Sequence, residues 1–154
     1  MSAIAGALNI AILARLRGTE VLTGDQLTAQ GVTNAVPWRL GTMRKNGALP
    51  AGTFYEDAGI DAFPAAPDVG ILQYSIRRFE FWKAGTDDTF FSGMQNALEL
   101  LFDERRGAPA LTLTGDGKVY ESALFVGMQG PIPDDDINAN VGLMSFRFVE
   151  ARPY

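Results

Sequence analysis

The chain has 154 residues, 47% hydrophobic and 20% charged, the size and composition of a single folded domain with a real core. Cysteine and histidine are both absent, which excludes a disulfide framework, thiolate zinc sites and histidine-based catalysis. With 13 Lys and Arg against 18 Asp and Glu the net charge is −5, which argues against broad nucleic-acid binding through phosphate neutralisation.

Ile4, Leu8, Ala11, Ile12 and Leu16 recur at helical spacing. Arg15 and Arg17 suit a helix C-terminal end, and Gly18 is a stop signal. The segment Ile4–Leu16 is interrupted by Asn9 and Arg15 and has no early basic region. It reads as a short amphipathic helix rather than a signal peptide. No apolar run approaches the roughly 20 residues that span a bilayer, so no membrane partner is expected. Val21 to Val32 reads either as a short helix around Asp25 to Ala29 or as a loop. Val36 to Leu40 is a short strand, which Pro37 confines to an edge or a strand start. From Gly41 to Pro67 the chain is rich in Gly, Ala and Pro. It reads either as two short strands in an extended hairpin, with Thr53 to Glu56 as one, or as an arm ordered against a partner.

Ile71 to Trp82 reads as one long strand of roughly 40 Å. Leu72, Tyr74 and Ile76 share one face, while Phe79 and Phe81 lie on the other by alternation. A β-bulge at Arg77–Arg78 would bring both sets to one side. Without it, the strand presents apolar surface to both sides, as an interlocking assembly requires. Thr86 to Phe102 is an amphipathic helix with Thr86 or Asp87 as N-cap. Its stripe is Phe90, Met94, Ala97, Leu98, Leu101 and Phe102. Gly93 costs helix propensity and is expected to mark close packing against the sheet. Gly107 and Pro109 end the element. Leu111 to Thr114 and Lys118 to Val126 flank Gly115-Asp116-Gly117, a hairpin signal. Pro131 and Pro133 open a loop through Asn140, and Val141 to Glu150 is the last strand, with Met144, Phe146 and Phe148 on one face.

The expected fold class is α+β: a mostly antiparallel sheet packed on one principal helix, with an N-terminal helix and an extended irregular arm, all in one domain over residues 1–154. Candidate chemistry is sparse. Gly117-Lys118 is followed by Val119, where a phosphate loop needs Ser or Thr, and it lies in a hairpin context. Asp134, Asp136, Asn138 and Asn140 alternate as at the start of a calcium loop. Ala139 stands where that loop needs glycine and Ser145 where it needs glutamate, so a solvated or partner-facing acidic loop is the better reading. Phe79, Phe81 and Trp82 could stack on bases, but the acidic balance favours core or interface packing. Arg39, Arg44 and Lys45 form a loose basic cluster that could pair with Asp134, Asp135 and Asp136 of a neighbouring copy. These eight residues, Phe79 and Phe81 included, are the candidate inter-subunit or partner contacts. No catalytic, metal-binding or cofactor-binding residue is proposed.

The element order carries a resemblance. An opening helix and a proline-containing irregular region precede a long strand ending in Phe79-Glu80-Phe81-Trp82. A capped helix (Asp87 to Phe102), a hairpin, an acidic loop and a terminal strand with Phe146-Arg147-Phe148 follow. This arrangement resembles the tail terminator, or tail-completion, proteins of long-tailed bacteriophages. The resemblance implies a non-enzymatic virion protein that forms a homohexameric ring, needs no cofactor and is assembled in the host cytoplasm. Such a ring caps the tail tube, ends its polymerisation and joins the head connector, while DNA passes through without specific binding. Ring contacts would fall in Gly41 to Pro67, the Ile71–Trp82 strand and the Gly130–Asn140 loop. A connector or stopper, or a tail tube subunit, is the alternative within virion proteins. A small-molecule-binding or enzymatic α+β domain is the alternative from another class.

Overall fold

A computed structural model describes residues 6–42, 47–57, 61–64, 71–115 and 117–152. Three α-helices, α1 (Ala7–Arg17), α2 (Gly24–Asn34) and α3 (Asp88–Phe102), lie with six strands: β1 (Trp38–Leu40), β2 (Ala51–Glu56), β3 (Asp61–Pro64), β4 (Ile71–Lys83), β5 (Val119–Asp134) and β6 (Ala139–Arg152). They form one sheet in the order β1-β2-β4-β6-β5, with β3 pairing β4 beyond β2. Only β1–β2 is parallel. The fold class is therefore α+β, as the sequence predicts.

The long strand β4 runs in unbroken register against β6, from Ile71 opposite Arg152 to Lys83 opposite Asn140. No bulge occurs at Arg77–Arg78. Strict alternation therefore sends Phe79 and Phe81 to the helix side and Leu72, Tyr74 and Ile76 to the other. Register shifts fall instead on the edge strand β5, at Tyr120/Ser122, Phe125/Gly127 and Gln129/Ile132. Bulges are favoured there because an edge strand has only one partner to satisfy.

Phe79 is the hub of the core. Its ring packs with those of Trp38, Phe54, Phe102, Phe146 and Phe148, at centroid distances of 5.2–6.4 Å. Phe91, Met94, Ala97, Leu98, Leu101 and Phe102 of α3 are buried with it, while Phe90 is partly buried. The Asp87 carboxylate caps α3 by accepting from Phe90 N at 3.0 Å. Two glycines make room for rings on this side of the sheet. A Cβ on Gly52 would stand 2.6 Å from the Trp38 ring, and one on Gly142 would run into the Phe81 ring.

Helix α2 is the element that apolar periodicity leaves unresolved. Its buried positions are Ala29, Gln30 and Thr33. Gln30 Nε2 donates to the Arg15 and Glu20 carbonyls at 3.2 and 2.9 Å, and Thr33 Oγ1 donates to the Leu16 carbonyl at 3.0 Å. These bonds satisfy carbonyls at and beyond the end of α1, where no further helical turn can do so. Arg15 is also buried. It forms a two-point ion pair with Glu20 (3.0 and 2.7 Å) and donates to the carbonyls of Leu101, Pro109 and Ala110. One guanidinium thus ties α1 to the end of α3.

Four further expectations change. The region from Gly41 contains β2 and β3, which pair β4 in succession rather than each other. Leu111–Thr114 is not a strand; Leu111 is buried in the core, and β5 pairs with β6, so the expected hairpin is not formed there. Its turn residue Asp116 lies outside the described residues. Strand β5 continues through Pro131 and Pro133 to Asp134, which an edge strand tolerates because its outer N–H groups need no partner. Gly93 does not mark close packing against the sheet: a Cβ there would meet nothing within 4 Å.

Candidate functional site

Helices α1 and α3 pack on the face of the sheet that carries Phe79 and Phe81, and α2 packs against both of them. On the opposite face, cross-strand pairing sets the rows: Thr53–Glu80–Leu143–Gln129, Tyr55–Arg78–Ser145–Gly127, and Ile76–Arg147–Leu124. Among the described residues no helix lies on this face.

The face holds three neighbourhoods. At one end Trp82, Val141 and Leu143 form a small cluster with Leu49, Ile137 and Ala139. In the middle, Tyr55 Oη donates to Glu80 at 3.2 Å, while Arg78 lies 3.4 Å from Glu80 and 3.8 Å from Asp57. The Arg78–Glu80 contact has the distance of an ion pair but not the alignment of a hydrogen bond, so the buried Arg78 Nε has no acceptor. Burial holds the Glu80 carboxyl above the usual carboxylate range, opposed by the Tyr55 hydrogen bond and the Arg78 charge. Burial, then the Glu80 charge, likewise raises Tyr55. Beside this network the bulge at Gly127 opens a trough of about 270 Å³, lined by Arg78, Gln129, Ser145, Val126, Met128 and Leu143. Towards the other end the Arg147 guanidinium lies over the Tyr74 ring, 5.1 Å from its centroid, flanked by the half-buried Leu72 and Ile76.

The eight candidate contacts are distributed unevenly. Phe79 and Phe81 are wholly buried beneath the helices and are core, which corrects their assignment as contacts. Unbroken alternation in β4 is the reason: the helix layer claims their side of the strand. Arg39 sits on β1, its guanidinium bonded to the Thr42 carbonyl. Arg44 and Lys45 lie outside the described residues. Asp134, Asp135 and Asp136 stand at the β5–β6 turn. Asp134 accepts from Asp136 N at 3.2 Å and from Trp82 Nε1 at 3.4 Å. Asp135 and Asp136 are exposed. Asn138, with φ of 58°, closes this turn, so the alternating Asp/Asn run forms a strand connection rather than a loop wrapped around an ion. Among the described residues no group of three or more acidic side chains is placed to hold a metal. The structure does not unite Arg39 with the acidic tip: β1 and β5 are opposite edges of the sheet.

Tyr55, Arg78, Glu80 and Arg147 were missed as surface residues, whereas Tyr74 was read onto one face of the strand but not named as a contact. The signal for Tyr55, Arg78, Glu80 and Arg147 was available in parity, since each is one residue away from a core aromatic of β2, β4 or β6.

The edge strand adds apolar exposure. Val126, Met128 and Ile132 are 57%, 42% and 43% exposed, values that place large side chains in solvent along one strand. No helix among the described residues is long and apolar enough to cross a membrane. No protein-family model matches the chain, and comparison with curated proteins finds no match.

Proposed function

We propose that the chain is a structural bacteriophage tail protein that assembles into a ring, caps the tail tube, ends its growth and joins it to the head connector. The observation that carries this reading is the two-sided sheet. One face is covered by the helices, while the other presents Leu72, Tyr74, Ile76 and Arg147 half-exposed. Aromatic and arginine residues on an apolar surround are the composition of binding hot spots. The exposed Val126, Met128 and Ile132 extend that surface to the sheet edge. The polar groups at the centre of the face bind one another, Tyr55 to Glu80 and Arg78 to Glu80 and Asp57. They act as a fixed patch rather than as groups aimed at a reacting atom. The net charge of −5 fits a channel through which DNA slides without sticking.

The test is tube capping. Purified tail tube protein is polymerised with and without the chain, and tube lengths and ends are read by negative-stain electron microscopy. The proposal expects rings at tube ends and a halt in growth. Tubes that elongate unchanged, with no chain bound at their ends, would overturn it.

A further inference from the structure

The open face carries Arg39, Arg78 and Arg147. Arg39 donates to the Thr42 carbonyl and Arg78 is held by Glu80 and Asp57, whereas Arg147 forms no ion pair with any carboxylate whose side chain is described. Its guanidinium lies over the Tyr74 ring, with the half-buried Ile76 as its partner across β4, and an apolar surround strengthens any charge pairing made there. The acidic tip is its counterpart. Asp135 and Asp136 are exposed at the β5–β6 turn, and neither side chain is bonded to another described residue. The tip itself is fixed by Asp134, which takes hydrogen bonds from Asp136 N and Trp82 Nε1. It is therefore a presented feature rather than a loose one.

The two features cannot meet within one protomer. From Ala139, where β6 begins, to Arg147 the strand runs eight residues, or roughly 26 Å at the usual rise. The tip lies beyond that start and is anchored to Trp82. A contact between them must join two copies. Such a contact joins two different surfaces, and made head to tail, as the ring reading requires, it generates a closed ring when the rotation closes.

Resting on the ring reading above, we propose that the Arg147–Tyr74 patch of one copy receives the acidic tip, Asp135 and Asp136, of the next. The apolar flank of Leu72 and Ile76 excludes water from that contact, and the charges set its register.

The experiment is a charge swap read by sedimentation and light scattering over a range of protein and salt concentrations, alone and with purified tail tubes. Arg147→Glu, and Asp135→Lys with Asp136→Lys, should each raise the concentration needed for half-assembly by roughly tenfold or more at low salt. Combining the two changes should recover most of the loss. The tip residues are exposed, so their substitution leaves folding intact even if Arg147→Glu does not, and circular dichroism separates the cases. Rings that form equally well from the wild type and the tip variant would overturn this contact while leaving the ring reading in place. A combined variant no better than either single change would also overturn it. A wild-type chain that stays monomeric, alone and with tubes, would overturn the ring reading and this contact with it.

Discussion

Truncating Phe79 separates a core role from an interface role. The ring is fully buried and meets five aromatic neighbours, from α3 (Phe102) and three strands (Trp38 of β1, Phe54 of β2, Phe146 and Phe148 of β6). A buried Phe→Ala change costs about 3–5 kcal/mol through lost transfer energy and the cavity left behind. Aromatic pairs add about 0.5–1.5 kcal/mol each beyond burial, although these terms overlap. With neighbours held rigidly in two layers the site cannot collapse, so Phe79→Ala belongs at the upper end, about 4–5 kcal/mol. That is a large share of the roughly 5–15 kcal/mol that stabilises a domain. Urea unfolding followed by tryptophan fluorescence reads it directly, because Trp38 packs edge-on to this ring. With a slope of about 2 kcal/mol/M the midpoint should fall by about 2 M. Phe79→Leu should lose much less, about 1–1.5 kcal/mol. A loss under about 1 kcal/mol for the alanine variant, accompanied by weaker assembly, would mean that Phe79 sits at a subunit contact and that the alternation in β4 is misassigned.

Three other perturbations follow the same physics. Gly142→Ala places a methyl group into the Phe81 ring and should cost about 1–3 kcal/mol, whereas Gly93→Ala meets open space on a helix and should stabilise by about 0.5–1 kcal/mol; thermal melting of the pair checks both signs. Arg15→Ala strands Glu20 and three carbonyls and should cost about 3–5 kcal/mol in urea titration. Burial raises the Glu80 carboxyl, so the folded state holds that proton to higher pH than the unfolded chain does. Its contribution to stability is therefore fully present at acidic pH and declines as pH rises through the folded value. Glu80→Gln should flatten that decline in a series of unfolding midpoints from acid to neutral pH, and an unchanged slope would refute the assignment.

The α+β class, α1, β4, α3 and β6 were legible because each has a strong period or cap. In α3 the spacing from Met94 to Phe102 and the Asp87 cap agree. Helix α2 was obscure because its buried face is Gln30 and Thr33, which hydropathy scores as solvent-facing. The hairpin at Asp116 failed because turn chemistry is local, while the partner of β5 is chosen by the distant β6. The prolines of β5 read as a loop because sequence alone does not reveal which strand is an edge. The surface proposed for assembly was partly visible. The opposing parity of Leu72, Tyr74 and Ile76 against Phe79 and Phe81 could be read, but which set the helices would claim was reversed in choosing contacts. Arg147 lay hidden between Phe146 and Phe148 because alternation gives a side, not a role.

The most direct measurement is the assembled mass and symmetry of the chain, by light scattering and negative-stain microscopy, both alone and on purified tail tubes. The expected result is a closed ring of about six times the 16.6 kDa protomer, with sixfold class averages, seated at tube ends. A protein that remains a 16.6 kDa monomer in both settings would contradict it.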